Sequence, residues 1–164
     1  MTCRLRFYEC DFFQNMTPLQ RTPGTAEIIS IGDELLIGQV VNTNASWMGE
    51  QLFANGIVLS RVTTIGDSEA ELHQALDNAL QRVQFIFLTG GLGPTSDDIT
   101  KPALCRYFDT SLVFNEEAYS FVEALFARRG LAVTPRNREQ AMLPANARVI
   151  RNNYGTASGM WFEK

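Results

Sequence analysis

The sequence is poor in the residue types that most often announce chemistry. Cysteine occurs three times in 164 residues, at Cys3, Cys10 and Cys105. An odd count without paired spacing reads as reduced thiols in a cytosolic protein, not as a disulfide framework. Cys3 and Cys10 form Cys-x6-Cys, which fits no common zinc spacing. A single histidine, His73, leaves nothing for a histidine-based triad or a His-rich metal centre. Its place beside Leu72, Leu76 and Leu80 predicts the solvent side of a helix. Lysine is confined to Lys101 and Lys164, and the net charge is −4 with a pI near 5.0. No bulk positive field exists to hold nucleic acid, so no nucleic-acid partner is expected. Nor does any apolar run approach the roughly 18 to 20 residues that cross a bilayer.

What is present suits a folded domain. The apolar fraction is 45%, the charged fraction 20%, and the mean hydropathy −0.09, enough to bury a core. Residues 1–24 read as an extension or linker, expected to be poorly ordered. Met1–Gln14 lacks the continuous apolar stretch of a secretory signal, and Thr17–Gly24 is broken by Pro18, Pro23 and Gly24. Met16 marks a natural beginning for the compact part, taken as residues 25–164.

From Ala26 the pattern becomes regular. Ala26–Ile31 is a buried-strand run ending at Gly32. Asn44–Asn55 sets Met48 and Leu52 at helical spacing and stops at Gly56. Ile57–Ile65 is β-branched. Ser68-x-x-Glu71 is a capping box opening a helix to about Arg82. Gln84–Leu88 is the most apolar strand. Helices are predicted at Asp97–Phe108 and Asn115–Arg129, and another opens with Thr134 as N-cap and Pro135 at the first helical position. Short strands follow at Ala147–Arg151 and Ser158–Phe162. Alternating strands and helices predict a parallel sheet covered on both faces.

In such a sheet, ligands bind at the carboxyl ends of the strands. There the sequence places Gly32-Asp33-Glu34, Gly66-Asp67 and the run Thr89–Thr100, with a late loop at Gly155-Thr156-Ala157-Ser158-Gly159. Gly90, Gly91 and Gly93 let backbone N–H groups approach an anion before a helix start. The same glycines also suit a tight turn with Thr95 or Ser96 as N-cap. The run is neither of the named nucleotide fingerprints. Asp97 and Asp98 suit the first turn of a helix. Beside a pyrophosphate they would instead need a divalent cation between carboxylate and phosphate. Lys101 reads either as a phosphate ligand or as a solvated side chain. Arg128, Arg129, Arg136 and Arg138 read either as a basic rim or as surface charge.

These residues together resemble a known family. Gly32-Asp33-Glu34-Leu35-Leu36 with Gly38-Gln39 and Asn42-Thr43-Asn44 is similar to the opening of the amino-terminal domain of competence/damage-inducible protein A (CinA). Thr89-Gly90-Gly91-Leu92-Gly93-Pro94-Thr95 followed by Asp97-Asp98-Ile99-Thr100-Lys101 resembles that family's central loop. Phe126–Asn137 and Gly155-Thr156-Ala157 extend the likeness. The resemblance implies the MoaB/Mog molybdopterin-binding fold, a three-layer α/β/α sandwich with a mostly parallel central sheet. It also implies metal-dependent pyrophosphate chemistry, with ADP-ribose cleaved to AMP and ribose 5-phosphate. In the Mog branch the fold binds molybdopterin and transfers an adenylyl group to it. Both reactions break a phosphoanhydride and need a clamp on its oxygens.

Carried over by position, Asp98 falls on the family's functional aspartate and Asp67 on the acidic residue after strand two. The catalytic set expected from the resemblance is Asp98, Asp67 and Lys101. Phosphate contacts fall to Gly90, Gly91, Leu92, Gly93, Thr95, Ser96, Gly155, Thr156 and Gly159. Asp33, Asp67 and Asp97 would hold Mg²⁺, Mn²⁺ or Co²⁺. Asp97 stands where the Mog branch tends to be basic, which favours the CinA reading. The expected partner is a small nucleotide or pterin, in a homo-oligomer. Ser158 replaces a proline common in relatives. Relatives also continue past the position of Lys164 with a further strand, a loop and a helix, and full CinA proteins add an amidase domain. The expectation is therefore a chain incomplete at its carboxyl end, with Met160, Trp161 and Phe162 under-protected.

Overall fold

A computed structural model describes residues 23–93 and 98–164. The expected extension, apart from Pro23 and Gly24, lies outside the described residues, as do Thr95, Ser96 and Asp97. The chain forms β1 (Thr25–Ile31), α1 (Asp33–Leu36), α2 (Thr43–Ala54), β2 (Val58–Ile65), α3 (Glu69–Leu80) and β3 (Phe85–Thr89). There follow α4 (Thr100–Tyr107), β4 (Leu112–Phe114), α5 (Glu116–Arg128) and α6 (Pro135–Arg138). A 3₁₀ turn at Glu139–Ala141 leads into β5 (Met142–Pro144), β6 (Arg148–Ile150) and β7 (Gly159–Trp161).

The main sheet has the order β2-β1-β3, all parallel. Successive side chains of a strand point to opposite faces, and β1 uses both. Ala26 and Ile28 pack with Ala45, Met48 and Leu52 of α2 on one face. Ile29 and Ile31 pack on the other face with Leu72 and Leu76 of α3 and Ala103 and Leu104 of α4. The α/β expectation and the covered parallel sheet hold. Two polar side chains are buried in this otherwise apolar strand, and each has a partner. Ser30 Oγ accepts a hydrogen bond from Asn42 Nδ2 at 2.9 Å. Glu27 receives Arg82 Nη2 at 2.9 Å and the Thr63 hydroxyl at 2.7 Å.

Helix starts follow side-chain caps. Asn42, Ser68 and Asn115 each accept a bond from the backbone N–H three residues on, and Thr134 with Asn137 forms a full capping box ahead of Pro135. Ser68 was expected to share a reciprocal box with Glu71, but the Glu71 carboxylate accepts from Gly66 N instead, at 3.2 Å. The helix expected from Asp97 begins only at Thr100, with Ile99 as its cap and no side-chain bond there. Three short elements escape the sequence pattern: α1, and β4 with β5, which pair antiparallel. Strands β6 and β7 form a second antiparallel pair.

His73 departs from its expected place. Its Nε2 lies 2.9 Å from Ala103 O and its ring 5.2 Å from that of Tyr107, so it leans on α4 and is only partly exposed. Leu80 leaves the apolar stripe for the surface, and Ala79 is buried in its stead. Near the carboxyl end, Met160 and Phe162 pack on the core, with Phe162 stacked on Phe108 at 4.4 Å. Only Trp161 of that trio is exposed.

Candidate functional site

Three glycines mark one edge of the sheet. The register pairs Ile31 with Ile65 and Ser30 with Thr89, so Gly32 and Gly66 leave adjacent strands at the same level and Gly90 leaves one residue earlier, opposite Ile31. From β1 the chain turns to α2 on one face, while from β3 it turns to α4 on the other. The gap between β1 and β3 is therefore the topological switch point, where open α/β sheets form their ligand crevice. A cleft of about 260 Å³ lies there, lined by Ile31, Thr89 and Gly90 below and by Glu34, Val41 and Asn44 above.

Backbone geometry requires glycine at the floor of this cleft. Gly90 has φ +107°, and a Cβ there would collide with the carbonyl of Ile31. Gly91 follows at φ +58°. Thr100, fully buried at the start of α4, fixes both residues. Its hydroxyl donates to Gly90 O at 2.9 Å and its N–H to Gly91 O at 3.3 Å. Gly93 N donates to Asp98 Oδ1 at 2.8 Å. Asp98 thus precedes the helix and closes the glycine loop, where sequence reasoning had put it in the first helical turn. Leu92 lies in this loop between Gly91 and Gly93 and is half-buried.

On the neighbouring crest, Asp33 and Asp67 are brought together. Asp33 N donates to Asp67 Oδ2 at 3.1 Å, and Asp67 N donates to Asp33 Oδ1 at 3.2 Å. Gly66 makes the approach possible, since a Cβ there would stand 2.6 Å from Asp33 Oδ1. Each carboxylate spends one oxygen on this exchange and keeps the other oxygen outside it. Among the described residues no third acidic or imidazole side chain joins them in a metal-binding group, and Asp97 lies outside the described residues.

Lys101 is neither solvated nor on the cleft surface. It is 5% exposed, and its Nζ donates to both the carbonyl and Oε1 of Gln140 at 3.3 Å. Burial pushes its pKa down, and the Asp98 charge pulls it partly back. Gln140, on the 3₁₀ turn, carried no signal in the sequence, because a glutamine in a polar stretch is expected on the surface. Glu34 was also passed over in favour of Asp33, yet it is Glu34 that lines the cleft.

The late loop is shaped by Asn152. Its Oδ1 accepts from Tyr154 N and Gly155 N at 2.9 and 3.0 Å, and its Nδ2 donates to Ala157 O at 2.8 Å. Thr156 lies within this turn, and Gly159 is the first residue of β7, paired with Ile150. Of the arginines, Arg138 lies over the rings of Phe114 and Tyr119, and Arg129 donates to Tyr154 O at 3.5 Å.

Comparison with known proteins decides the family. Residues 27–160 match the family model described as "Probable molybdopterin binding domain". The chain belongs to that family. A CinA-like protein of Cytophaga hutchinsonii is 47% identical over 138 residues, covering 84% of this chain and 33% of its own length. One from Chloroherpeton thalassium is 47% identical over 135 residues, covering 82% of this chain and 32% of its own. The chain thus spans about a third of the length of these curated relatives. Among solved structures, CinA of Thermoplasma acidophilum superposes with a TM-score of 0.72 at 32% identity, covering 84% of this chain and 80% of that one. The tungsten cofactor synthesizing protein MoaB of Pyrococcus furiosus shares the fold, with a TM-score of 0.52 at 22% identity over 67% of each chain. Together these place the chain among CinA-type members of the MoaB/Mog fold.

Proposed function

We propose that this domain binds a phosphorylated nucleotide or pterin in the β1/β3 crevice and, with a divalent metal, hydrolyses a nucleotide pyrophosphate, ADP-ribose being the foremost candidate. The observation that carries the reading is the placement of a glycine-floored cleft at the switch point, one strand away from the paired carboxylates of Asp33 and Asp67. The start of α2, at Asn42, Thr43 and Asn44, lines the cleft and suits phosphate oxygens, and the aliphatic walls at Leu35, Val40 and Val41 suit a planar ring.

The acidic pair fits a metal. Mg²⁺ commonly takes one or two carboxylates and completes its shell with water and substrate phosphate, and Asp33 with Asp67 supplies two hard oxygens of that kind. A bound cation would neutralise charge developing on the phosphoanhydride oxygens. The chain's own residues contribute orientation: Thr100 fixes the glycine loop and Asp98 closes it. Water entering at phosphorus would break the anhydride P–O bond and give AMP and ribose 5-phosphate.

A binding module without turnover is the second reading. It is favoured by the engagement of Asp98 with Gly93 and of Lys101 with Gln140, which ties two of the three expected catalytic groups to the protein. Calorimetry and AMP release with ADP-ribose and Mg²⁺, Mn²⁺ or Co²⁺ separate the two. Turnover abolished by Asp67→Asn supports hydrolysis. Saturable binding with no AMP under any metal overturns hydrolysis and leaves the module.

A further inference from the structure

We propose that Glu71 is a positioning residue for the Asp33–Asp67 pair: its carboxylate holds the turn after β2 and so keeps the two aspartates together for a cation. The inference deepens the reading above and rests on it only for its metal arm.

Spacing alone assigns Glu71 to a capping box, in which its carboxylate would turn back to the main-chain N–H of Ser68. That N–H goes instead to Gly66 O, at 2.8 Å. The Glu71 carboxylate reaches past it to Gly66 N, at 3.2 Å. Gly66 is buried while Glu71 is exposed, so an exposed side chain reaches inward to satisfy a buried main-chain donor. Leaving such a donor unpaired is costly. The register of β2 with β1 ends at Ile65, and Glu71 supplies the acceptor for the residue just beyond it.

Three bonds then close a ring around Asp67. Gly66 N donates to Glu71 Oε2, Glu71 N donates to Ser68 Oγ at 3.4 Å, and Ser68 N donates to Gly66 O. Asp67 stands at the tip of that ring, between Gly66 and Ser68. Its N–H donates to Asp33 Oδ1 at 3.2 Å, and its Oδ2 accepts from Asp33 N at 3.1 Å. Gly66 is also the point of closest approach to Asp33, where a Cβ would stand 2.6 Å from Oδ1. Glu71 therefore fixes the residue on which the contact between the aspartates depends. It is not a third member of the pair, since among the described residues no three acidic side chains form a metal-binding group. Glu71 acts through Gly66 and does not touch the cation. Partners that orient the carboxylates of a metal site contribute to its affinity even without contact.

The test uses the full chain and two substitutions. Glu71→Gln keeps an oxygen acceptor for Gly66 N, and Glu71→Ala removes it. Both leave the Ser68 cap in place, because that bond uses the main-chain N–H of residue 71, and both alter an exposed side chain, so both should fold. The first readout is the Asp33 amide proton resonance in the metal-free protein, for which Asp67→Ala marks the position without the bond to Asp67. Glu71→Ala is expected to move the Asp33 signal toward that position, and Glu71→Gln to leave it near the native one. A residue that only stiffened the start of α3 would not move a signal in α1. An Asp33 signal unmoved in Glu71→Ala, while Asp67→Ala shifts it, overturns the proposal. The second readout is Mn²⁺ affinity without nucleotide, followed by the electron paramagnetic resonance of the free ion. Glu71→Ala should weaken it about tenfold and Glu71→Gln less than about twofold. Equal weakening in both overturns the proposal, because the carboxylate would then act by its charge or as a direct ligand. If the native chain does not bind Mn²⁺, the metal reading falls, and the Asp33 resonance alone decides the role of Glu71.

Discussion

Removing the ammonium of Lys101 should change the pH dependence of stability in a definite direction. Its folded pKa is lowered by burial from an ordinary value of 10.5. Between the lowered value and 10.5 the unfolded chain holds the proton that the folded chain has lost. Stability contributed by this residue therefore rises with pH across that window. Below it the folded state carries the full cost of a buried cation, so Lys101→Met should be neutral or stabilising there. The difference should shrink as pH climbs toward 10.5, as denaturant midpoints of the two proteins from pH 7 to 10.5 will show. Tyr107 has the opposite sign. Burial and the 2.5 Å bond from its hydroxyl to Asp77 push its pKa up to about 12, from 10.0. The folded state keeps a proton that the unfolded state loses, so stability falls from pH 10 to 12. Tyr107→Phe should flatten that fall while leaving the slope below pH 9 unchanged.

At the scale of elements, one residue joins a helix cap to the sheet. Asn42 caps α2 through Ala45 N at 3.1 Å and also donates to the buried hydroxyl of Ser30. Asn42→Ala removes both, losing a cap and stranding a buried polar group, at a cost of about 2 kcal/mol. Ser30→Ala alone should cost less, since the cap survives, and urea midpoints will order the two. Much of this level was legible in the sequence because caps and periodicity are local. Thr134-Pro135, Ser68 and the Met48/Leu52 spacing announce their helices directly. The start of α4 was misread because an acid such as Asp98 suits a first helical turn, whereas its carboxylate is spent on Gly93 across the loop. Strands β4 and β5, three residues each, exist only through pairing with a distant segment, so no local pattern reports them. The candidate site was legible in its glycines and acids. It was not legible in Lys101 and Gln140, whose burial depends on how α4 and the 3₁₀ turn meet.

At the scale of the whole molecule, the β6–β7 pair connects two packed regions. Met160 touches the main core formed by β1, α3 and α4, and also the smaller cluster of Ala118, Ala141 and Leu143. Trp161, its neighbour on the strand, points the other way and donates from Nε1 to Glu163 at 3.0 Å. Alternation along a three-residue strand thus assigns opposite consequences to adjacent side chains. Met160→Ala opens space against both clusters and should cost about 2–3 kcal/mol. For a chain of this length, that corresponds to a fall in Tm of roughly 4–12 °C. Trp161→Ala removes more volume, but from a side chain that is 40% exposed and belongs to neither cluster, and should cost less than Met160→Ala. Because Met160 serves both regions, its loss should lower a single unfolding transition. A melt of Met160→Ala that splits into two transitions would show that the smaller cluster folds on its own, with the β6–β7 pair as attachment and not as part of a common core.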